Sequence, residues 1–181
     1  MSIEPAIRDQ LLAAIPSLRA FAISLCGNPD RADDLVQDTL VKAWTHMHRF
    51  ERGTNLNAWL FTILRNGFFS DHRKLHREVE DGDGVYAARL TSAPDQLARL
   101  DFQDLRKALL KLPADQREAL LLVGAEGFSY EEAANICGCA VGTIKSRVNR
   151  ARTRLAQLMG LDTEDDLAAD GLFMAALQLA A

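Results

Sequence analysis

The chain has 181 residues, 48% of them hydrophobic, with 21 lysines and arginines against 25 acids and a formal net charge of −4. That length allows one ordinary domain or two small ones with buried cores. No run of about 18 apolar residues predicts a membrane span, and MSIEPAIRDQ lacks the basic and apolar regions of a secretory leader. Cys26, Cys137 and Cys139 are odd in number, so they form no disulfide framework and point to a reduced, cytoplasmic setting.

Apolar residues recur at helical spacing along most of the chain and alternating strand patterns are scarce, which predicts an all-α fold. Leu11, Leu12, Ile15, Leu18, Ala22 and Leu25 make the first stripe. CGNPD, at 26–30, stops that helix and turns the chain into a second helix over 31–47. Asp30, Asp33, Asp34, Gln37 and Asp38 stand in its first half, with Leu35, Val36, Leu40, Val41 and Trp44 at the apolar positions. Carboxylates early in a helix complement its dipole, which can account for them alone. The alternative is docking onto a basic protein surface.

The loop RFERGTN, at 49–55, leads into a helix predicted over 56–76. It holds Trp59, Phe61, Phe68 and Phe69 among Arg65, Arg73, Lys74 and Arg77, with Asp71 its only acid. Trp59, Ile63 and Leu64 continue a core stripe, so most of these rings read as core. Basic charge interleaved with aromatics also suits single-stranded DNA, whose unstacked bases rest on rings while cations hold the backbone. His72 and His76 share a helix face, and His46 and His48 lie nearby, but no third ligand or general base stands beside them. They read as solvated histidines, so a nuclease or other metal enzyme is not expected.

EVEDGDG, at 78–84, repels itself and buries nothing, which predicts a flexible acidic tether over 78–99 between helical domains at 8–77 and 100–160. The tail, 161–181, is acidic and then apolar, and carries no assigned role. In GFSYEEAANICGCAVGTIKSRVNRARTRL, at 127–155, a short helix from Tyr130 to Cys137, a turn at Gly138 and a second helix from Val141 form a helix-turn-helix. Cys137 and Cys139 read as small fillers flanking that turn, since no further ligand follows at zinc spacing, and no metal or other cofactor is expected. Ile144, Val148, Ala151, Leu155 and Leu158 point inward, while Thr143, Lys145, Ser146, Arg147, Asn149, Arg150 and Arg152 occupy the opposite face. Arginine and lysine neutralise phosphate and can donate to guanine, Asn149 can pair with adenine, and Ser146 suits either, as in a major-groove recognition helix.

Together these pieces resemble an extracytoplasmic-function (ECF) sigma factor, the minimal form of the bacterial sigma-70 family. DDLVQDTLVKAW is similar to the polymerase-binding part of region 2, and the stretch from Phe50 through NAWLFTILRN to Lys74 to its promoter-melting part. LPADQREALLL, FSYEEAA and VGTIKSRVNRARTRL are similar to region 4. FAISLCGNPDRADDLVQDTL, GTNLNAWLFTILRN and ICGCAVGTIKSRVNRAR resemble the EcfG subgroup, which controls the general stress response of alphaproteobacteria. The resemblance implies that Asp33, Asp34, Gln37, Asp38, Leu40 and Trp44 grip core RNA polymerase at its clamp, with region 4 on its flap. It implies that Phe50, Arg52, Gly53, Thr54 and Asn55, with Trp59, Ile63, Asn66, Arg73 and Lys74, bind the −10 element and capture a flipped base. It places Thr143, Lys145, Ser146, Asn149 and Arg150 on the −35 element, with Arg147 and Arg152 nearer phosphate. It also implies a NepR-type anti-sigma partner, released by a PhyR-type regulator, and no membrane partner.

Two other classes share parts of this pattern. A sigma mimic that only titrates the anti-sigma protein would carry a receiver domain, for which an all-helical chain has no room, and would not need the cations of 141–155. A stand-alone helix-turn-helix regulator would not need the basic aromatic helix. An acidic total suits a protein that borrows most of its grip on DNA from a polymerase, because low positive charge suppresses sequence-independent binding.

Overall fold

The computed structural model describes residues 5–80 and 98–160, with side chains described over 5–74 and 103–160. Among these residues all regular structure is helical: α1 (Pro5–Cys26), α2 (Pro29–Thr45), a 3-10 turn (Met47–Arg49), α3 (Leu56–Glu80), α4 (Ala98–Leu110), α5 (Ala114–Gly124), α6 (Tyr130–Cys137) and α7 (Val141–Met159). The chain divides into two compact units, residues 1–90 and 91–181. Helices α3 and α4 reach into both ends of the segment expected as a tether, since no glycine interrupts the chain between Gly67 and Gly82. The rest of that segment and the tail lie outside the described residues.

In the first unit α1, α2 and α3 each pack on the other two. The core is Leu18, Phe21, Ala22 and Leu25 of α1, Ala32, Leu35 and Val36 of α2, and Leu60, Phe61, Leu64 and Phe68 of α3. The rings of Phe21 and Phe61 meet at 5.0 Å between centroids. Full burial of such a side chain contributes about 1.5–3 kcal/mol. Gly27, at φ 69°, ends α1. Asn28 then caps α2, its Oδ1 accepting from Arg31 N at 3.1 Å, with Pro29 pre-set at the first helical position. Leu12 departs from the expected stripe and is 58% exposed. The buried face runs through Leu11, Ala14, Leu18 and Phe21, and the next residue after Leu11 turns about 100° away from it.

By length and composition α1 could cross a membrane, which the count of uninterrupted apolar residues did not anticipate. Of the side chains that make it apolar, Leu11, Ala14, Leu18, Phe21, Ala22 and Leu25 are buried in the core of this unit.

In the second unit α5 and α6 both pack on α7, and α4 packs on α5 and α7. Leu120, Leu121 and Leu122 are all buried, so α5 is enclosed on more than one face, as a central helix must be. Arg117, also buried, donates from Nη1 to the carbonyls of Leu110 at 3.0 Å and Leu109 at 3.4 Å. It thereby satisfies orphan carbonyls at the end of α4.

Helices α2 and α3 approach closely at Gly67, where an added Cβ would lie 3.0 Å from Leu35 Cδ1. Gly67→Leu should therefore overpack the first unit and lower its stability by about 1–3 kcal/mol, despite leucine's better helix propensity. Urea unfolding followed by circular dichroism checks this; unchanged stability would mean that α2 and α3 are not closely packed there.

Candidate polymerase and promoter interfaces

Helix α2 buries Ala32, Leu35, Val36, Thr39 and Ala43, which leaves Asp34, Gln37, Asp38, Val41 and Trp44 outward along one continuous face. Asp34, Gln37 and Asp38 are exposed and make no hydrogen bond or ion pair among the described residues. Asp33 differs: Arg19 of α1 donates to its two oxygens at 2.6 and 3.2 Å, which raises the pKa of that guanidinium. Its charge is spent inside the unit. Val41 and Trp44, expected at apolar positions, are 60% and 54% exposed, and Leu40 is half-buried. The acids thus lead into an exposed apolar patch rather than a solvated face. Val41 was not among the expected site residues, although its spacing from Asp34, Gln37 and Asp38 on one helix places it with them.

The loop 50–55 is shaped by short-range bonds. Thr54 donates from its backbone and from Oγ1 to Glu51 O, at 3.2 and 2.7 Å, and Gly53 takes φ 90°, which disfavours any other residue. Asn55 Oδ1 accepts from Ala58 N at 3.2 Å and caps α3. Phe50 folds back onto Trp59, with ring centroids 5.3 Å apart. Helix α3 then sorts its apolar residues. Leu56, Leu60, Phe61, Leu64 and Phe68 are buried, whereas Trp59 and Ile63, expected in the core, are only half-buried. They lie on the face shared by Asn55 and the exposed Asn66. Further along, Arg65 sits 4.8 Å from the Phe69 ring centroid, and Arg73 and Lys74 are exposed. Arg52 and Gly53 are exposed in the loop itself. The structure therefore gathers the loop, two partly open apolar side chains, an amide and a run of cations on one side of the unit.

The helix-turn-helix has the boundaries that the sequence suggests. Ser129 and Glu132 form a reciprocal capping box, with bonds of 3.1 and 3.0 Å. Gly138 adopts φ 64°, and Cys139 N donates to Ala134 O at 3.1 Å, so the chain leaves α6 through a left-handed cap. Ala133 and Ala134 are buried and allow the close crossing. Ile144, Val148, Ala151 and Leu155 are buried on α7, whereas Leu158, expected to continue their stripe, is exposed near the helix end. Lys145, Asn149 and Arg150 are exposed, and Thr143, Ser146 and Arg152 are half-buried. Lys145 stands 5.8 Å from the Tyr130 ring, and Ser146 Oγ donates to Thr143 O at 3.1 Å. Arg147 is committed inward: Nε pairs with Asp115 Oδ2 of α5 at 3.2 Å, and Nη1 lies 3.9 Å from Cys139 Sγ. It braces α7 against α5 and the turn. Asp115 was missed because nothing in its own segment marks it as the partner of a residue 32 positions on.

The three cysteines are free, and among the described residues no group of three or more histidines, cysteines or acids could hold a metal ion. Two separate helical units, one with an acidic and apolar outward face beside a basic aromatic one, the other with a helix-turn-helix, define a transcription-initiation protein of the sigma-70 type. Residues 12–78 match the family model for sigma-70 region 2, and residues 102–155 match that for sigma-70 region 4. The chain belongs to the ECF RNA polymerase sigma factors of the sigma-70 family.

It is 64% identical to the ECF RNA polymerase sigma factor EcfG of Rhodopseudomonas palustris, over 94% of each chain. The sigma factor RpoE of Bartonella quintana, solved in complex with the anti-sigma factor NepR, is 58% identical with a TM-score of 0.80, covering 88% of this chain and 99% of that one. The PhyRSL–NepR complex of Sphingomonas sp. Fr1 shares the fold, with a TM-score of 0.65 at 22% identity, over 91% of this chain and 94% of that one.

Glu126, in the connection between α5 and α6, is half-buried, and burial pushes its pKa from 4.5 up to about 7. The folded unit thus holds a proton that the unfolded chain releases, so stability falls as pH rises from about 4.5 towards 7 and stays lower above it. Glu126→Gln should flatten that slope and stabilise the second unit by on the order of 1 kcal/mol at alkaline pH, after allowance for its remaining solvent contact. Urea unfolding at mildly acidic and alkaline pH checks this; an unaltered pH slope would contradict it.

Proposed function

We propose that this chain is a sigma factor that joins core RNA polymerase in the cytoplasm and directs initiation at general stress-response promoters, and that a NepR-type anti-sigma protein holds it inactive. The observation that carries the reading is the presence in one chain of the acidic, apolar face of α2 and the exposed Lys145, Asn149 and Arg150 of α7. The similarity to EcfG and to the NepR-bound RpoE supports the choice of subgroup and inhibitor. Region 2 takes residues 8–77 and region 4 takes 100–160, with 78–99 as tether and 161–181 unassigned. No enzymatic step is attributed to the chain.

In this reading Asp34, Gln37 and Asp38 engage basic side chains of the polymerase clamp while Val41 and Trp44 bury apolar area beside them, as an interface core rimmed by charge requires. The loop 50–55 with Trp59, Ile63 and Asn66 captures an unstacked −10 base, and Arg73 and Lys74 follow the backbone. Region 4 rests on the flap and presents Lys145, Ser146, Asn149 and Arg150 to the −35 major groove. Arg147 serves chiefly as an internal brace, with Arg152 and Thr143 at the edge of the contact. A sigma mimic shares the fold, as the PhyRSL likeness indicates. The 64% identity to a sigma factor and the uncovered cations of α7 favour initiation over mimicry.

Replacing Asp34 and Asp38 by arginine should abolish co-purification with core polymerase and leave the helical content unchanged; normal co-purification would remove the clamp assignment. Arg150→Ala should weaken −35-dependent transcription by about 1–3 kcal/mol and relax selectivity at one base pair. Arg147→Ala should instead lower the stability of the second unit by about 1 kcal/mol, with base selectivity retained. Transcription from −35 variants and urea unfolding separate the two, and unchanged selectivity in Arg150→Ala would remove that residue from base readout.

A further inference from the structure

Lys145 stands at the start of the second turn of α7, with its ammonium over the ring of Tyr130, the first residue of α6, at 5.8 Å from the centroid. That separation lies within the reach of a cation–π attraction. Tyr130 is set in place from its own segment. Ser129 before it closes the capping box with Glu132, and the buried Phe128 donates from its backbone N to Leu122 O at 3.0 Å. The Tyr130 side chain is half-buried, whereas Lys145 is exposed and makes no hydrogen bond or ion pair among the described residues. The first turn of α7 holds no acid, and a cation near a helix N-terminus gains nothing from the dipole. Among the described residues, the Tyr130 ring is therefore the group that draws this ammonium.

We infer that Tyr130 is a positioning residue for −35 readout, whose ring holds the Lys145 ammonium in place before DNA arrives. The inference rests on the proposed −35 role of Lys145. Lysine loses more rotamer freedom on ordering than most side chains, and contact with a ring held by a capped helix removes part of that freedom in the free protein. Less then remains to be lost on binding. An aromatic ring suits this task better than a carboxylate. It attracts the cation through its face, so the N–H donors turned away from the ring stay available to guanine O6 and N7. A carboxylate would accept those donors and set a negative charge close to the DNA phosphates. Tyr130 thus acts through Lys145, from the helix that precedes the recognition helix.

The test is a double-mutant cycle with holoenzyme assembled from core polymerase and the full chain, on a promoter selected by transcription from a randomised library. Transcription from single-base −35 variants gives the discrimination at each base pair. Lys145→Ala should lose discrimination at one base pair. Tyr130→Leu should lower discrimination at that same base pair by on the order of threefold, within the range of one exposed cation–π contact. Tyr130→Phe keeps the ring and should retain discrimination, and Tyr130→Leu should add no further loss in the Lys145→Ala background. NMR of the free chain gives a readout without DNA: the Lys145 ε-methylene protons should lie upfield of their position in Tyr130→Leu. Coincident ε-methylene shifts in the two proteins would overturn the inference. An equal loss from Tyr130→Leu in both backgrounds would do the same, because Tyr130 would then act on folding or DNA without Lys145. A loss in Tyr130→Phe as large as that in Tyr130→Leu would replace the ring by the hydroxyl as the acting group. Unchanged discrimination in Lys145→Ala would remove that lysine from base readout and the inference with it, and the ε-methylene shift tells this failure from absence of the ring contact.

Discussion

Burial of the apolar stripes of α1, α2, α3 and α7 is the constraint on which the rest of this molecule depends. In the first unit Leu18, Phe21, Leu35, Leu60 and Leu64 are enclosed, and the close approach of α3 to Leu35 at Gly67 locks α2 in one rotational setting. With that setting given, Asp34, Gln37, Asp38, Val41 and Trp44 can only face outward. In the second unit Ile144, Val148, Ala151 and Leu155 do the same for α7, and the capping box and left-handed Gly138 hold α6 at its side. In the proposed function, recognition falls to the side chains that the buried stripes leave over.

Charge is sorted by the same geometry. Two of the ionic groups that look available in the sequence are used internally, Asp33 by Arg19 and Arg147 by Asp115. The remaining acids of α2 and the remaining cations of α7 stand on different units, each with an uncluttered outward face. A protein with a net charge of −4 can then read DNA without holding it alone, because sequence-independent affinity scales with the phosphates it neutralises. Selectivity by base contact is compatible with weak intrinsic binding when a larger partner contributes the remaining grip.

Much of this was legible in the residues. The all-helical class, the CGNPD stop, the Gly138 turn and the inward stripe of α7 each follow from local chemistry, namely helical period, capping and positive φ. What the sequence could not resolve was the fine rotation of each helix. A spacing of three or four residues does not tell whether Val41, Trp44 or Leu158 falls just inside the buried arc or just outside it, and the same ambiguity put Leu12 in a core stripe. Pairings across helices, such as Arg147 with Asp115, were out of reach because they depend on how α5 crosses α7.

In the proposed function the two outward faces act together as the specificity component of a polymerase. Run-off transcription from a candidate stress promoter with core polymerase tests it most directly. Core alone should give no specific transcript, addition of the chain should yield one, and a NepR-type anti-sigma protein should abolish it. A chain that binds the anti-sigma protein but yields no transcript with core polymerase would contradict it.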